Sequence, residues 1–203
     1  MNKINRIFIA SIAALVIAFS LNAQKKYVPL AFYMKSDSKF FNPKLKMNAD
    51  SALIIAAAVL NSQEFRDSIS KYSFSCDNST GEYHKKSICT IPSGNILDTL
   101  YRIKRDSLTL RLLNEGGNEF GESSKDNFNI TSHYITINGD EKYLSFAYKY
   151  AYHICHEYMH IVGFYHYLSP KKRNRDKDIA EKTGWVAWSI LMRWKTAGIK
   201  IKI

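Results

Sequence analysis

Apolar residues occur along the chain in short runs whose spacing predicts alternating helices and strands. The richest run, Ala52 to Leu60, consists of Ala, Ile, Leu and Val, and such a run favours a helix that lies largely inside the fold. Asp50 provides an N-cap for this helix. The segment from Glu64 to Tyr72 predicts either an extension of this helix or a second, amphipathic helix after it, because Phe65 and Ile69 are spaced one helical turn apart.

The segments on either side of these helices carry other patterns. From Gln24 to Asn48, two prolines and many basic and aromatic residues predict extended or irregular structure. The apolar spacing from Ser93 to Ile103 predicts another short helix, and the alternation from Leu108 to Leu112 predicts a half-buried strand. The Gly-, Ser- and Asn-rich stretch from Asn114 to Asn129 indicates an exposed loop, and Tyr134 to Ile137 predicts a second strand.

The C-terminal third is predicted to be mainly helical. No Gly or Pro interrupts the chain from Glu141 to Val162, which predicts one long helix. A charged loop follows from Ser169 to Lys177, and a final helix is predicted from Ile179 to Lys195. There is no internal repeat or interdomain linker.

The N-terminal segment is typical of a secretory signal peptide. Lys3 and Arg6 precede an apolar run of 15 residues, Ile7 to Leu21, and Ala23 provides the small residue at which signal peptidase cuts. A membrane anchor is the alternative, but a helix needs about 20 apolar residues to cross the hydrocarbon core. We therefore expect a signal over residues 1–23 and a secreted or periplasmic protein without stable membrane insertion.

The composition indicates a globular domain over residues 24–203. A hydrophobic share of 46% with 13% aromatic residues excludes a disordered chain, and 9 Gly with 4 Pro exclude a collagen-like one. The net charge of +11 is accompanied by no nucleic-acid motif, so we expect no nucleic-acid partner. We also expect the protein to be a monomer. The basic run from Lys171 to Lys177 could favour acidic substrates, although a solvated loop is the simpler interpretation.

Three cysteines divide into a pair and a single residue. Cys76 and Cys89 flank a polar segment that contains a Ser-Thr-Gly turn, and export would permit a disulfide between them. Two free thiols in a reducing compartment are the alternative. Cys155 is left over and lies within the predicted long helix, where we expect a buried, unpaired thiol.

The same long helix carries the pattern H-E-x-x-H. His156 and His160 are four residues apart, so both imidazoles can bind one zinc ion, while Glu157 can reach a water on the metal. The pattern continues through Gly163 to His166. Glycine permits a left-handed turn at the end of the helix, and the reversed chain can then bring His166 to the metal as a third ligand.

The string from His156 to His166 resembles the long motif of the metzincin clan of zinc metallopeptidases at every fixed position. The resemblance implies zinc binding by the three histidines and a general-base role for Glu157. It also implies a metzincin-like α+β fold, with a mixed twisted sheet packed on a long active-site helix and a small, mostly helical C-terminal subdomain.

The resemblance is incomplete at one point. Metzincins carry a methionine turn beneath the zinc, whereas the only methionine after His166 is Met192, in a stretch that is predicted to be helical. We expect the apolar floor of the zinc site from Met192 or, alternatively, from Trp185 or Trp188. An acidic third ligand, as in the thermolysin-like clan, is a further alternative, for which the spacing of Glu181 after His160 would be suitable.

The ligand set predicts hydrolysis of peptide bonds. Zinc would lower the pKa of a water toward about 7, and Glu157 would take its proton and pass it to the departing amine. Tyr165 or Tyr167 could stabilise the oxyanion, although ordinary packing is the simpler role for them. His153, one turn before the motif, could orient groups of the site or lie partly exposed on the helix.

We therefore expect a secreted zinc peptidase that acts on peptides or proteins. One alternative is a secreted zinc-binding or interaction protein on the same scaffold with little or no activity, and another is a cell-wall peptide amidase. The strand that aligns the substrate is expected to be Leu108 to Leu112 or Tyr134 to Ile137.

Overall fold

The structure is a computed structural model, and it describes part of the chain. The described residues are 27–75, 90–103, 106–117, 120–124, 128–139, 143–164, 166 and 177–201. The predicted signal peptide, the predicted disulfide between Cys76 and Cys89, the roles considered for Tyr165 and Tyr167, and most of the basic loop lie outside these residues.

Within the described residues the fold is α+β, with six helices and a mixed sheet. The helices are α1 (Leu45–Asn61), α2 (Gln63–Ile69), α3 (Ser93–Arg102), α4 (Tyr134–Gly139), α5 (Phe146–Ile161) and α6 (Ile179–Thr196). The strands are β1 (Tyr33–Met34), β2 (Lys39–Phe40), β3 (Ser73–Ser75), β4 (Thr90–Pro92), β5 (Ser107–Leu113), β6 (Gly121–Ser124) and β7 (Asn129–His133). The predicted helices near residues 64, 96 and 179 and the strand near residue 108 are confirmed.

Strand β5 lies at the centre of the main sheet. It pairs in parallel with β1 and β2 on one side and with β7 on the other. Strand β6 pairs antiparallel with β7 and is the terminal strand of the described sheet. In a separate ribbon, β3 pairs antiparallel with β4, so Ser75 lies opposite Thr90. The two chain ends that flank the Cys76–Cys89 segment are thus brought together.

Helix α5 is central to the helical part of the fold. It packs against α1 and α6 and also contacts β6. Tyr150, Ile154 and Tyr158 lie four residues apart and are all fully buried, so they form one continuous apolar face. Cys155 is a buried free thiol, as predicted, and burial raises its pKa. Because α5 is covered on several sides, we expect apolar residues all round it. Its buried His and Glu side chains are exceptions to that expectation, and these are the residues that indicate a functional site.

Helix α1 begins earlier than predicted. It starts at Leu45, and Asp50 lies inside the helix, where its carboxylate accepts a hydrogen bond from Lys46 Nζ at 3.1 Å. The turn before the helix explains the difference. The side chain of Asn42 accepts from the Lys44 amide, and the carbonyl of Pro43 accepts from the Lys46 amide. These contacts satisfy amides of the first turn without an Asp cap.

The prediction of a strand from Tyr134 to Ile137 is wrong, because these residues begin α4. Pairing between β5 and β7 ends where Leu113 lies opposite His133. The chain then has no further strand residues of β5 to pair with, and the amide of Ile135 instead donates to the carbonyl of Glu115. The true strand is the preceding segment, β7.

Two other boundaries also differ from the prediction. The segment from Asn114 to Asn129 was predicted to be a loop, but it contains β6. The long helix begins at Phe146 and not at Glu141. No helix in the described part of the chain combines the length and the apolar character that a membrane span requires.

Candidate metal centre

The end of α5 is shaped by Gly163. Its φ angle is 108°, in the left-handed region that favours glycine. The Gly163 amide donates to the carbonyl of His160 at 3.0 Å, and the Phe164 amide donates to the carbonyl of Met159 at 2.9 Å. These two bonds form a Schellman motif, which reverses the chain at the helix end. The turn predicted from the sequence is therefore confirmed.

The reversal brings the third histidine back to the first two. We call His156, His160 and His166 the histidine triad. Each of the three offers one nitrogen, and these nitrogens all lie within 4.8 Å of one another. The Nε2 atoms of His156 and His166 are 3.2 Å apart. Three imidazoles at this spacing can bind one metal ion.

The partners of two triad residues indicate which nitrogen faces the metal position. His160 Nδ1 lies 2.5 Å from the carbonyl oxygen of Phe164, and His166 Nδ1 lies 2.8 Å from Oδ2 of Asp178. Both partner oxygens accept hydrogen bonds, so in each ring Nδ1 carries the proton and Nε2 keeps its lone pair. A set of imidazole lone pairs that point at one position fits a borderline-soft cation such as zinc.

Glu157 lies beside the triad and is nearly inaccessible to solvent. Its side chain is 5% exposed, and its Oε1 atom is 3.9 Å from His156 Nε2 and 3.7 Å from His153 Nδ1. The hydroxyl of Ser123 on β6 donates to the main-chain carbonyl of Glu157 at 3.3 Å. The carboxylate is thus held close to the metal position, on a helical turn that is joined to the terminal strand of the sheet.

His153 lies behind Glu157 in the interior. It is 2% exposed, which is contrary to the partly exposed alternative considered from the sequence. Its Nε2 atom is 3.1 Å from Ser132 Oγ, which in turn lies 3.5 Å from the Tyr150 hydroxyl. Burial lowers the pKa of His153 to about 3, with further contributions from His133 and His160. The ring is therefore neutral at neutral pH and can support Glu157 without adding a charge.

The buried His153 predicts a loss of stability in acid. Below its ordinary pKa of 6.5, and down to about 3, the unfolded chain binds a proton at this ring that the folded chain does not bind. The free energy of unfolding should therefore fall with decreasing pH by up to about 1.4 kcal/mol per pH unit. The His153→Gln variant should lack this contribution.

The test is urea unfolding of the metal-free wild type and variant from pH 8 to pH 4. We expect the difference in unfolding free energy between wild type and variant to shrink as the pH falls through 6. At pH 8 the variant must still unfold in one cooperative transition. An identical pH dependence in both proteins would contradict the assignment of a neutral buried His153.

Helix α6 lies against the triad through a glycine. A Cβ atom at Gly184 would be 3.4 Å from His156 Cβ and 3.5 Å from His156 Nδ1. Further along the same pair of helices, Trp188 lies edge-on to Tyr152 with ring centroids 5.7 Å apart, so α5 and α6 run antiparallel. Met192 lies about two helical turns after Gly184, so it is about 12 Å further along α6 at 1.5 Å per residue.

The surface against His156 is thus the backbone of α6 at Gly184. Trp185, one of the alternatives for the floor, is half exposed. Sequence reasoning missed Gly184, although a glycine inside a predicted helix is a recognisable signal of close approach by another element.

Substitutions at Gly184 should show whether the close packing of α6 restrains His156. Alanine would add a Cβ at ordinary contact distance and improve helix propensity, so Gly184→Ala should leave metal affinity within about twofold of the wild type. Gly184→Leu would force His156 or α6 to move at a cost of about 1–3 kcal/mol, which corresponds to about 5- to 150-fold weaker binding.

Competition with a chromophoric chelator measures both Gly184 variants under the same conditions. Wild-type affinity in Gly184→Leu would show that α6 does not restrain His156.

Glu181 does not belong to the triad. Among the described residues, the three histidines are the one group of three or more His, Cys, Asp and Glu side chains whose ligand atoms all lie close enough together to hold an ion. Glu181 lies in the first turn of α6, and its amide donates to Oδ1 of Asp178 at 3.0 Å. The structure thus favours His166 over Glu181 as the third ligand.

The strand beside the site is β6, and neither of the two predicted substrate-aligning segments has this position. Strand β5 is internal to the sheet, and residues 134–137 are helical. Strand β6 is terminal and packs against α5. It approaches its neighbour closely at Gly121, where a Cβ atom would lie 2.1 Å from the carbonyl oxygen of Thr131. Within the described residues β6 pairs on one side, with β7, and its other side has no strand partner there, so an extended peptide could pair with it.

Comparison of the chain with protein-family models, with curated proteins and with solved structures finds no match. The functional interpretation therefore depends on the residues of the site and their geometry.

Proposed function

We propose that the protein is a zinc-dependent peptidase of metzincin type, in which the histidine triad holds the ion and Glu157 is the general base. The observation that carries the proposal is the buried Glu157 carboxylate, whose Oε1 atom lies 3.9 Å from Nε2 of His156 in the histidine triad. A site that only binds metal gains nothing from a buried carboxylate outside the ligand set, whereas a hydrolase uses it to transfer a proton.

Zinc is the metal that this donor set favours. Three protein nitrogens leave one tetrahedral position for water or substrate, which is typical of catalytic zinc rather than of closed structural sites. When bound, zinc would supply Lewis acidity and would lower the pKa of a water to about 7. The remaining chemistry belongs to residues of this chain.

Glu157 moves the proton in the proposed reaction. Its Oε1 atom accepts a proton from the attacking water, and the protonated carboxyl then donates it to the nitrogen of the departing amine. The low exposure of Glu157 limits competing exchange of this proton with bulk water. Neutral His153, 3.7 Å from Oε1, helps to orient the carboxylate while leaving it able to accept the proton.

Strand β6 would align the substrate. An extended peptide that pairs with its free side would lie along the turn of α5 that carries Glu157, because Ser123 of β6 is joined to that turn. Main-chain hydrogen bonds of this kind bind peptides irrespective of sequence, so the proposal concerns a peptide or protein substrate in general.

The function is tested with the protein as it would be exported, residues 24–203. Zinc-loaded protein is incubated with a mixed peptide library that is supplemented with cell-wall peptides, and mass spectrometry locates the cleaved bonds. We expect cleavage at internal peptide bonds, which a zinc chelator abolishes. Cleavage of only the cell-wall peptides would favour the amidase alternative, and zinc binding without any cleavage would favour a non-catalytic zinc-binding protein.

A further inference from the structure

Asp178 connects the third triad residue to α6. Its side chain is 1% exposed, and its two carboxylate oxygens contact different partners. Oδ2 is 2.8 Å from Nδ1 of His166, and Oδ1 accepts a hydrogen bond from the amide of Glu181 at 3.0 Å. One buried carboxylate thus caps α6 and contacts a candidate metal ligand at the same time.

The N-cap role alone does not explain why this residue is an acid. Serine, threonine or asparagine caps a helix about as well as aspartate, because one oxygen atom is sufficient. Burying a carboxylate costs free energy unless its charge is compensated. Here the N-terminus of α6 compensates it on one side, and the Nδ1–H group of His166 does so on the other.

His166 needs such a partner more than His156 does. His156 lies inside α5, whereas His166 follows the end of that helix, beyond the turn at Gly163. An imidazole outside regular structure can rotate about its side-chain bonds, and a hydrogen bond from Nδ1 fixes both its orientation and its tautomer. Asp178 supplies the acceptor for that bond.

We propose that Asp178 is a positioning residue that couples metal binding to the docking of α6. It holds His166 Nε2 toward the metal position, while Gly184 of the same helix lies against His156. Helix α6 therefore contacts two of the three ligands, and the ion and the docked helix stabilise each other. The inference rests on the metal site of the proposed function but not on peptide cleavage.

Three substitutions separate the two roles of Asp178. Asp178→Ser keeps an oxygen that can accept from the Glu181 amide, but it is too short to reach His166 as well. Asp178→Asn keeps the cap and the size of the side chain, but it offers one acceptor oxygen for two donors. Asp178→Ala removes both contacts. Glu181→Gln, in the same helical turn, is the matched control because its side chain is outside the triad.

Zinc affinity, measured by competition with a chelator, is the first readout. We expect Asp178→Ser and Asp178→Asn to bind zinc about 10- to 100-fold more weakly than the wild type, whereas Glu181→Gln binds normally. In a His166→Ala background, Asp178→Ser should weaken binding no further, because the ligand through which it acts is absent.

Hydrogen exchange of the α6 amides is the second readout and does not depend on activity. Zinc should slow this exchange in the wild type and in Glu181→Gln, and it should slow it much less in Asp178→Ser and Asp178→Asn. In the zinc-free Asp178→Ser variant the Glu181 amide should exchange as slowly as in the zinc-free wild type, which would show that the cap is retained.

The outcomes separate this inference from the proposed function. Wild-type zinc affinity in Asp178→Ser and Asp178→Asn, with binding lost in His166→Ala, would overturn the positioning role and leave the metal site intact. Normal coupling of zinc to α6 in a protein that cleaves no peptide would overturn only the peptidase. A wild type that binds no zinc would overturn both.

Discussion

Replacing Glu157 with glutamine is expected to lower kcat/KM for peptide cleavage by about 10²- to 10⁴-fold, the usual contribution of a general base. Glutamine has nearly the same shape as glutamate, but its amide cannot accept the proton that the reaction releases. Zinc content should remain at the wild-type level, because Glu157 is not one of the triad ligands. Kinetic assays on a peptide identified from the library, together with metal analysis of the same preparation, measure both quantities.

The matched control for Glu157→Gln is Glu181→Gln, which makes the same chemical change in the first turn of α6. It should retain wild-type cleavage. Equal rates for Glu157→Gln and the wild type would show that Glu157 is not the general base. A joint loss of zinc and activity would indicate that Glu157 supports the metal site.

Removal of a triad ligand is expected to have the second large effect. Four-ligand zinc sites bind with about 10–16 kcal/mol, so one ligand contributes on the order of 3 kcal/mol and its loss weakens binding about 100-fold or more. His160→Ala and His166→Ala should therefore lose zinc in competition with a chelator of moderate affinity.

Glu181→Ala should retain its zinc in the same assay. If His166→Ala retained its zinc and Glu181→Ala lost it, the third ligand would be Glu181 and not His166. It would thereby support the thermolysin-like alternative.

The histidine triad could be predicted from the sequence because its determinants are local. His156 and His160 face the same way as soon as the segment is helical, and the need for a left-handed turn at Gly163 follows from the helix end. The bonds that confirm this turn join residues within five positions of one another. Local spacing was sufficient for these predictions.

The sheet was predicted less well, because partners distant in sequence decide its edges. Residues 121–124 contain no apolar side chain, so no hydrophobic pattern indicates β6, and it is a strand because β7 pairs with it. Tyr134 to Ile137 has the residue types of a strand, but the sheet partner ends at Leu113. Hydrophobic periodicity and strand propensity cannot show where the neighbouring strand of the sheet ends.

The contacts that α6 makes with the site escaped sequence analysis. Asp178 follows His166 by twelve positions, and Gly184 meets His156 from another helix. Neither spacing belongs to a periodic pattern. Their roles follow from how α6 packs against α5, and this packing becomes visible only in three dimensions.

The most direct test of the central claim is a titration of metal-free protein with zinc while the rate of peptide cleavage is recorded. We predict no cleavage at the start, a linear rise, and a plateau at one equivalent of zinc. Cleavage that is undiminished in the metal-free protein, or no cleavage at any zinc concentration, would contradict the claim.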